Sequence, residues 1–226
     1  MFKKRENVVE IEEGNLLSPK FDNDGLIPVI TMCSKTKDVL MHGYMNVEAL
    51  KTILAWMGED PNREGLLETP KRVVKAFKEY FGGYTQDAEK VLDKTFGDVD
   101  GYDDMVIQKN ISIQSHCEHH MAPIIGKAHV AYIPKERVVG LSKLARVVEV
   151  FSKRLQTQER LTMQVAKTLM ESLDAKGVAV TIDSTHQCMT MRGIKKENAT
   201  TVTNYFLGQF KEDLSIQNRY LRFTTK

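Results

Sequence analysis

Cysteine is scarce in this chain, with three among 226 residues. So few thiols do not make a disulfide framework at this length, and a reducing compartment, the cytoplasm, is expected. A charge excess of one sign is also missing. Thirty-two Lys and Arg stand against 30 Asp and Glu, for a net +2. That balance raises no polyanion-attracting field over the whole molecule and argues against a bulk nucleic-acid binder. No apolar run approaches the roughly 20 residues that span a bilayer. Met1 to Gly14 mixes Lys, Arg and Glu without an apolar stretch, unlike a secretory signal. Internal repeats and low-complexity tracts are absent as well. What is present is 42% hydrophobic residues. The length suits one ordinary domain, or one domain plus an appendage, able to bury a core without staples.

The pattern along the chain divides it into three parts. Residues 1–45 read as a polar tail followed by a hairpin, with apolar runs Leu26 to Met32 and Val39 to Met45 around Lys35-Thr36-Lys37-Asp38. Residues 46–100 read as helical. Asn46 is placed to cap a helix with Leu50, Ile53, Leu54 and Met57 at helical spacing and Gly58 as its stop. Thr69-Pro70 opens a second helix, since proline's missing N–H is unpaired there in any case. Val73, Val74, Phe77, Tyr80 and Phe81 form its buried stripe, and a short helix is expected from Asp87 to Asp93.

From residue 101 the period shortens. Ile107, Ile111 and Ile113 are expected on one face of a strand, with a second strand from Ile125 to Ile133. Two amphipathic helices follow, one striped by Leu144, Val147, Val148, Phe151 and Leu155, the other by Leu161, Val165, Leu169 and Leu173. Val178, Val180 and Ile182 alternate in a third strand, and Thr200 to Leu207 reads as a fourth. Strands in adjacent pairs around two helices predict an α+β domain: a four-stranded antiparallel sheet with helices on one face.

Each strand pair holds one unusual cluster. Ser115-His116-Cys117-Glu118-His119-His120 joins the first pair, and His186-Gln187-Cys188-Met189 with Arg192-Gly193 joins the second. The C-x-x-H spacing of Cys117 and His120 lets one tight turn present a thiolate and an imidazole to one ion. With Cys188 they make a Cys₂His set, whose open fourth position is the catalytic pattern for zinc. Either cysteine alone equally suits a small buried apolar position. His119 and His186 are left free for proton transfer, while His116 and Glu118 are badly spaced as ligands and His129 and His42 look like ordinary histidines. Ser142-Lys143 with Arg146 opens a helix in a way that suits a phosphate, and Arg72 with Lys75 repeats the basic pair on an earlier helix. Such pairs also serve as solvated faces. Glu159 suits either a helix's first turn or the N–H edge of a guanine.

These motifs, taken in order, resemble those of the GTP cyclohydrolase I family. The residues are Ser115-x-Cys117-Glu118-His119-His120, Gly140-Leu141-Ser142-Lys143 with Arg146, Gln156-x-Gln158-Glu159-Arg160-Leu161, and His186-x-Cys188-Met189 with Arg192-Gly193. Gly58-Glu59-Asp60-Pro61, Gly65-Leu66 and Glu68-Thr69-Pro70 with Arg72-Val73 extend the match, which covers residues 50 to 224. The resemblance implies conversion of GTP and water to formate and 7,8-dihydroneopterin triphosphate. It implies Cys117, His120 and Cys188 as zinc ligands, His119 and His186 as proton carriers, and Ser142 in the later ribose rearrangement. It further implies Gln158 and Glu159 on the guanine, and Lys143, Arg146 and Arg192 on the triphosphate, joined by Arg72 and Lys75 from a neighbouring subunit. The implied fold is the tunnelling fold, closed into a homo-oligomeric ring, a decamer, with active sites between subunits. Neither nucleic acid nor membrane is an implied partner.

A separate stretch, Gly25 to Ile30 and Val39 to Leu50, resembles the start of phosphoribosyl-AMP cyclohydrolase without that enzyme's cysteine-bearing half. It is read as a structural fragment. Two other functions remain open from the sequence: another pterin or deazapurine enzyme of the tunnelling fold, and a non-catalytic zinc-stabilised assembly module. A zinc nucleobase deaminase is disfavoured, because its H-x-E and P-C-x-x-C pair is missing.

Overall fold

The computed structural model describes residues 47–97 and 101–224. The expected hairpin, Cys33 and the stretch resembling phosphoribosyl-AMP cyclohydrolase lie outside the described residues, save its last few positions. The chain divides into two compact units between Val74 and Lys75. The first contains helix α1 (Val47–Trp56), a 3₁₀ turn at Glu64–Leu66 and the start of α2 (Thr69–Tyr80). Gly58 follows α1 with φ +95°, a left-handed conformation that glycine adopts without strain and that ends the helix.

The second unit is built on one sheet. Its long strands are β2 (Val106–Cys117), β3 (Pro123–Ile133), β6 (Gly177–His186) and β7 (Thr201–Gly208), paired antiparallel in that order. A two-residue strand β5 (Leu155–Gln156) adds to the outer edge of β2 in parallel. A separate small sheet pairs β1 (Thr95–Phe96) with β4 (Val138–Val139). Helices α4 (Leu141–Ser152) and α5 (Gln158–Leu173) lie on one face, joined there by α3 (Ala88–Leu92). Their apolar stripes meet the sheet in one core that includes Leu144, Val147, Leu161, Leu169, Val180 and Ile182, all fully buried. Truncating one such leucine to alanine costs about 2–5 kcal/mol, so this face carries much of the stability.

At one end the opposite face is also covered. The short α7 (Gln209–Glu212) and α8 (Leu214–Thr224) bring Phe210 and Tyr220 against Met105, Ala131, Ile133 and Ala179. Covered on both sides there, β3 and β6 are buried without alternation from Ala128 to Ile133 and from Gly177 to Ile182. The sequence reading had no element after Leu207, because an apolar run in a strand does not tell which face is covered.

Two expectations are corrected. Ile107 does not share a face with Ile111 and Ile113. Between Gln108 and Ile111 the register advances three residues on β2 against two on β3, a bulge with Asn110 at φ +57°. The extra residue inverts the parity, so Val106, Ile111 and Ile113 pack under the helices while Ile107 joins the Tyr220 cluster. Leu155 is not part of the first helix stripe. The helix ends at Ser152, Lys153 leaves helical geometry at φ −78°, ψ 46°, and Leu155 falls in β5.

Candidate metal and nucleotide site

Strands β2 and β6 both run antiparallel to β3, so both deliver their C-terminal ends to its beginning. His116 pairs with Pro123 and His186 with Ile124. Beyond Cys117 the chain reverses at once. The Met121 N–H donates to the Cys117 carbonyl at 2.8 Å, the Cys117 N–H donates to the Ala122 carbonyl at 2.8 Å, and Met121 takes φ +52°. This turn lifts Cys117 and His120 to the same side. Beyond His186 one turn of helix, α6 (Gln187–Thr190), rests on β3 and carries Cys188.

The ligand atoms of Cys117, His120 and Cys188 all lie within 4.8 Å of one another. Cys117 Sγ is 3.8 Å from His120 Nδ1 and equally 3.8 Å from His119 Nδ1. Burial pushes the Cys188 thiol up, the neighbouring Cys117 pushes it further, and the Arg192 guanidinium acts in the opposite sense. The Cys188 thiol, held beside a second sulfur and partly out of water, favours its protonated form. A divalent cation between them reverses that preference by favouring thiolates. Two thiols and an imidazole this close therefore fit a soft or borderline metal such as zinc, and among the described residues the group stops at three.

His119 and His186 lie one and two residues from its ligands along the chain. His119 Nε2 lies 3.8 Å from a Glu118 carboxylate oxygen, and the other Glu118 oxygen lies 3.7 Å from the Arg160 guanidinium. Sequence spacing had set Glu118 aside as a ligand; in the structure its neighbour is an imidazole, a role that adjacency to His119 signals. His186 Nε2 is 2.7 Å from Gln158 Oε1. Burial pulls the His186 ring's proton affinity down, with the Glu159 carboxylate acting against it.

Gln158 opens α5 behind the N-cap Thr157, whose hydroxyl accepts from the Arg160 N–H. The Gln158 side chain is fully buried and every hydrogen-bonding position of its amide is occupied within the protein. Glu159 beside it is exposed and lines a concavity with Thr157, Arg160, Met163 and Tyr205.

The anion-binding candidates sit on three elements. Ser142, Lys143 and Arg146 lie in the first turns of α4, whose N-cap Gly140 makes no side-chain cap. Arg192 lies in the exposed loop after α6, where Gly193 turns the chain at φ +63°. Arg72 and Lys75 are exposed on α2, Arg72 in the first compact unit and Lys75 in the second. Among the described residues, no hydrogen bond or ion pair joins Ser142, Lys143, Arg146 or Lys75 to the sulfur cluster.

His116 is no part of the ligand group. Its ring packs at 4.9 Å on Tyr80 and 5.1 Å on Phe81, its Nδ1 is buried without a partner, and burial together with Lys153 depresses its proton affinity. His129 is a strand histidine, as expected, its Nδ1 accepting from the Asn110 N–H at 3.4 Å across the bulge.

Residues 46–225 match the family model described as GTP cyclohydrolase I. A protein of Pelagibacter ubique (strain HTCC1062) called GTP cyclohydrolase 1 is 87% identical over 179 residues, covering 79% of this chain and 89% of that one. Proteins of the same name from Maricaulis maris (strain MCS10) and Brucella canis (strain ATCC 23365 / NCTC 10854 / RM-666) are 57% and 54% identical. They cover 77% and 88% of this chain, and 85% and 94% of their own. Among solved structures, the apo QueF-like archaeosine synthase aligns with a TM-score of 0.36 at 17% identity over 46% of this chain and 93% of that one, too distant to carry an argument. By its family match over nearly all described residues, and by relatives of such identity, the chain belongs to the GTP cyclohydrolase I family.

Proposed function

We propose that the chain is a zinc-dependent hydrolase that opens the imidazole ring of GTP, releasing formate and leaving 7,8-dihydroneopterin triphosphate. The single observation that carries this reading is the convergence of Cys117, His120 and Cys188 within 4.8 Å. Family membership supplies GTP as the substrate. Cys117, His120 and Cys188 hold the zinc, which when bound supplies the Lewis acidity that makes water a nucleophile near neutral pH. His119 and His186 accept and return protons at the purine's C8–N7–N9 edge as the ring opens. Glu159 receives the guanine's N–H edge, since a carboxylate offers acceptors to two parallel donors. Lys143, Arg146 and Arg192 hold the triphosphate by charge-assisted hydrogen bonds, with Arg72 and Lys75 supplied by a neighbouring copy. Ser142 serves the later ribose rearrangement. The working form is a ring-shaped homo-oligomer, a decamer, in the cytoplasm. No helix of the described residues is long and apolar enough to cross a membrane.

The test is incubation of the purified protein with GTP, following formate and pterin fluorescence with and without a chelator. Formate release that the chelator abolishes and added zinc restores is the expected result. Stoichiometric zinc without formate would overturn it in favour of a structural metal.

A further inference from the structure

We propose that Gln158 is a positioning residue that holds His186 as its Nε2–H tautomer, leaving the proton-accepting lone pair on Nδ1, and that it does not bind the guanine. This rests on the reading of His186 as a proton carrier.

The orientation of the buried amide follows from its surroundings. Gln158 Nε2 lies 3.0 Å from the Ile182 carbonyl and 2.8 Å from the Thr201 carbonyl. Both are acceptors only, so the amide end between them must be the NH₂. Thr203 Oγ1, at 3.2 Å from the same nitrogen, agrees. The Thr162 hydroxyl gives its one proton to the Gln158 carbonyl at 2.7 Å, so it accepts from Thr203 across their 2.7 Å contact. Thr203 has thereby used its own proton and can only accept from Gln158. Turning the amide over would set its oxygen against two carbonyl oxygens in a buried place, which leaves groups unsatisfied at about 1–3 kcal/mol each.

Oε1 therefore faces Ser184 and His186. It accepts from the Ser184 hydroxyl at 2.7 Å and meets His186 Nε2 at 2.7 Å. An amide oxygen has no proton to give, so the hydrogen in that contact belongs to Nε2. A neutral imidazole with Nε2–H carries its lone pair on Nδ1. The same accounting leaves Gln158 without a free donor or acceptor for a base. Glu159, the next residue, is exposed and keeps its carboxylate available. The tandem Gln-Glu is thus divided: one side chain faces inward to hold a histidine, and the other faces outward.

The experiment uses the zinc-loaded wild-type enzyme labelled with ¹⁵N at histidine, observed where the ring is neutral and assigned by the signals lost in His186→Asn. A pyrrole-type Nε2 and a pyridine-type Nδ1 on His186 are expected; a pyrrole-type Nδ1 overturns the proposal. Kinetics supply a second reading. Gln158→Met keeps the volume and removes the amide. It is expected to retain zinc and to lower kcat on the order of tenfold to a hundredfold, with KM for GTP within about twofold. A rise in KM for GTP with kcat unchanged would show a guanine contact and overturn the proposal. Ser184→Ala removes only the other donor to Oε1 and is expected to keep kcat within about twofold; a loss equal to that of Gln158→Met would mean the network acts as mere packing. The wild-type spectrum decides the tautomer even if Gln158→Met fails to fold. It also does so if the wild type releases no formate from GTP, an outcome that defeats the proposed function by itself.

Discussion

Replacing Cys188 by serine removes one of three donors that converge within 4.8 Å. The side chain is half-buried and the substitution almost isosteric, so the fold should survive with little cavity cost. The loss falls on the metal. Structural zinc sites with four ligands bind with roughly 10–16 kcal/mol near neutral pH, which makes each ligand worth about 3 kcal/mol. Since 1.4 kcal/mol is tenfold, losing one sulfur should weaken zinc about a hundredfold. A serine hydroxyl does not recover this, because it neither ionises near neutral pH nor matches the softness of sulfur. The assay is zinc per chain after dialysis against a graded chelator, read beside formate release from GTP. The variant should lose zinc and turnover together, at a chelator strength the wild type withstands. Cys33→Ser, at the one cysteine outside the proposed group, should retain both. A Cys188→Ser protein holding one zinc per chain under wild-type conditions would refute the ligand assignment.

His119→Ala should keep most of its zinc and lose turnover by about a hundredfold or more, checked by metal content and formate release; stoichiometric loss of zinc would make His119 a ligand instead. Arg192→Ala should raise KM for GTP roughly tenfold and that for guanosine far less, since only the nucleotide carries the anion it is proposed to hold. Acid should destabilise the protein through His129. Burial chiefly, and Lys109 with Lys127, depress its proton affinity in the folded state, with Asp183 opposing. As pH falls below the unfolded value of about 6.5, the unfolded chain takes up a proton that the folded one refuses, so stability is full above that pH and declines below it. His129→Gln should flatten this acid limb in melting temperatures taken from about pH 7.5 down to about pH 5; an unchanged limb would assign it to other groups.

The fold was legible where periodicity is local. The stripes of α4 and α5 read directly, Leu155 apart, because burial of one face imposes a spacing on the chain. The bulge at Asn110 was not legible, because one extra residue in a ladder leaves no mark in composition and still inverts which side chains face the core. Likewise α7 and α8 were missed, since Phe210 and Tyr220 show their purpose only against the far face of β3 and β6. In the site, Cys117 and His120 announced themselves by spacing within one turn. The pairing of Glu118 with Arg160 did not, because an ion pair between a turn and a helix depends on where the two elements meet.

The sequence by itself determined the inventory: two thiols and an imidazole of metal-binding type, two spare histidines, and acidic and basic residues at helix starts. It also determined the family, because ordered motifs survive in the order of residues alone. Only the tertiary structure decided that Cys188 reaches Cys117, since two strands antiparallel to the same β3 end at one edge of the sheet. Only it decided that Gln158 faces inward to His186 while Glu159 faces out. Neighbours in sequence share a backbone, and their side chains part according to which surface of the helix is buried.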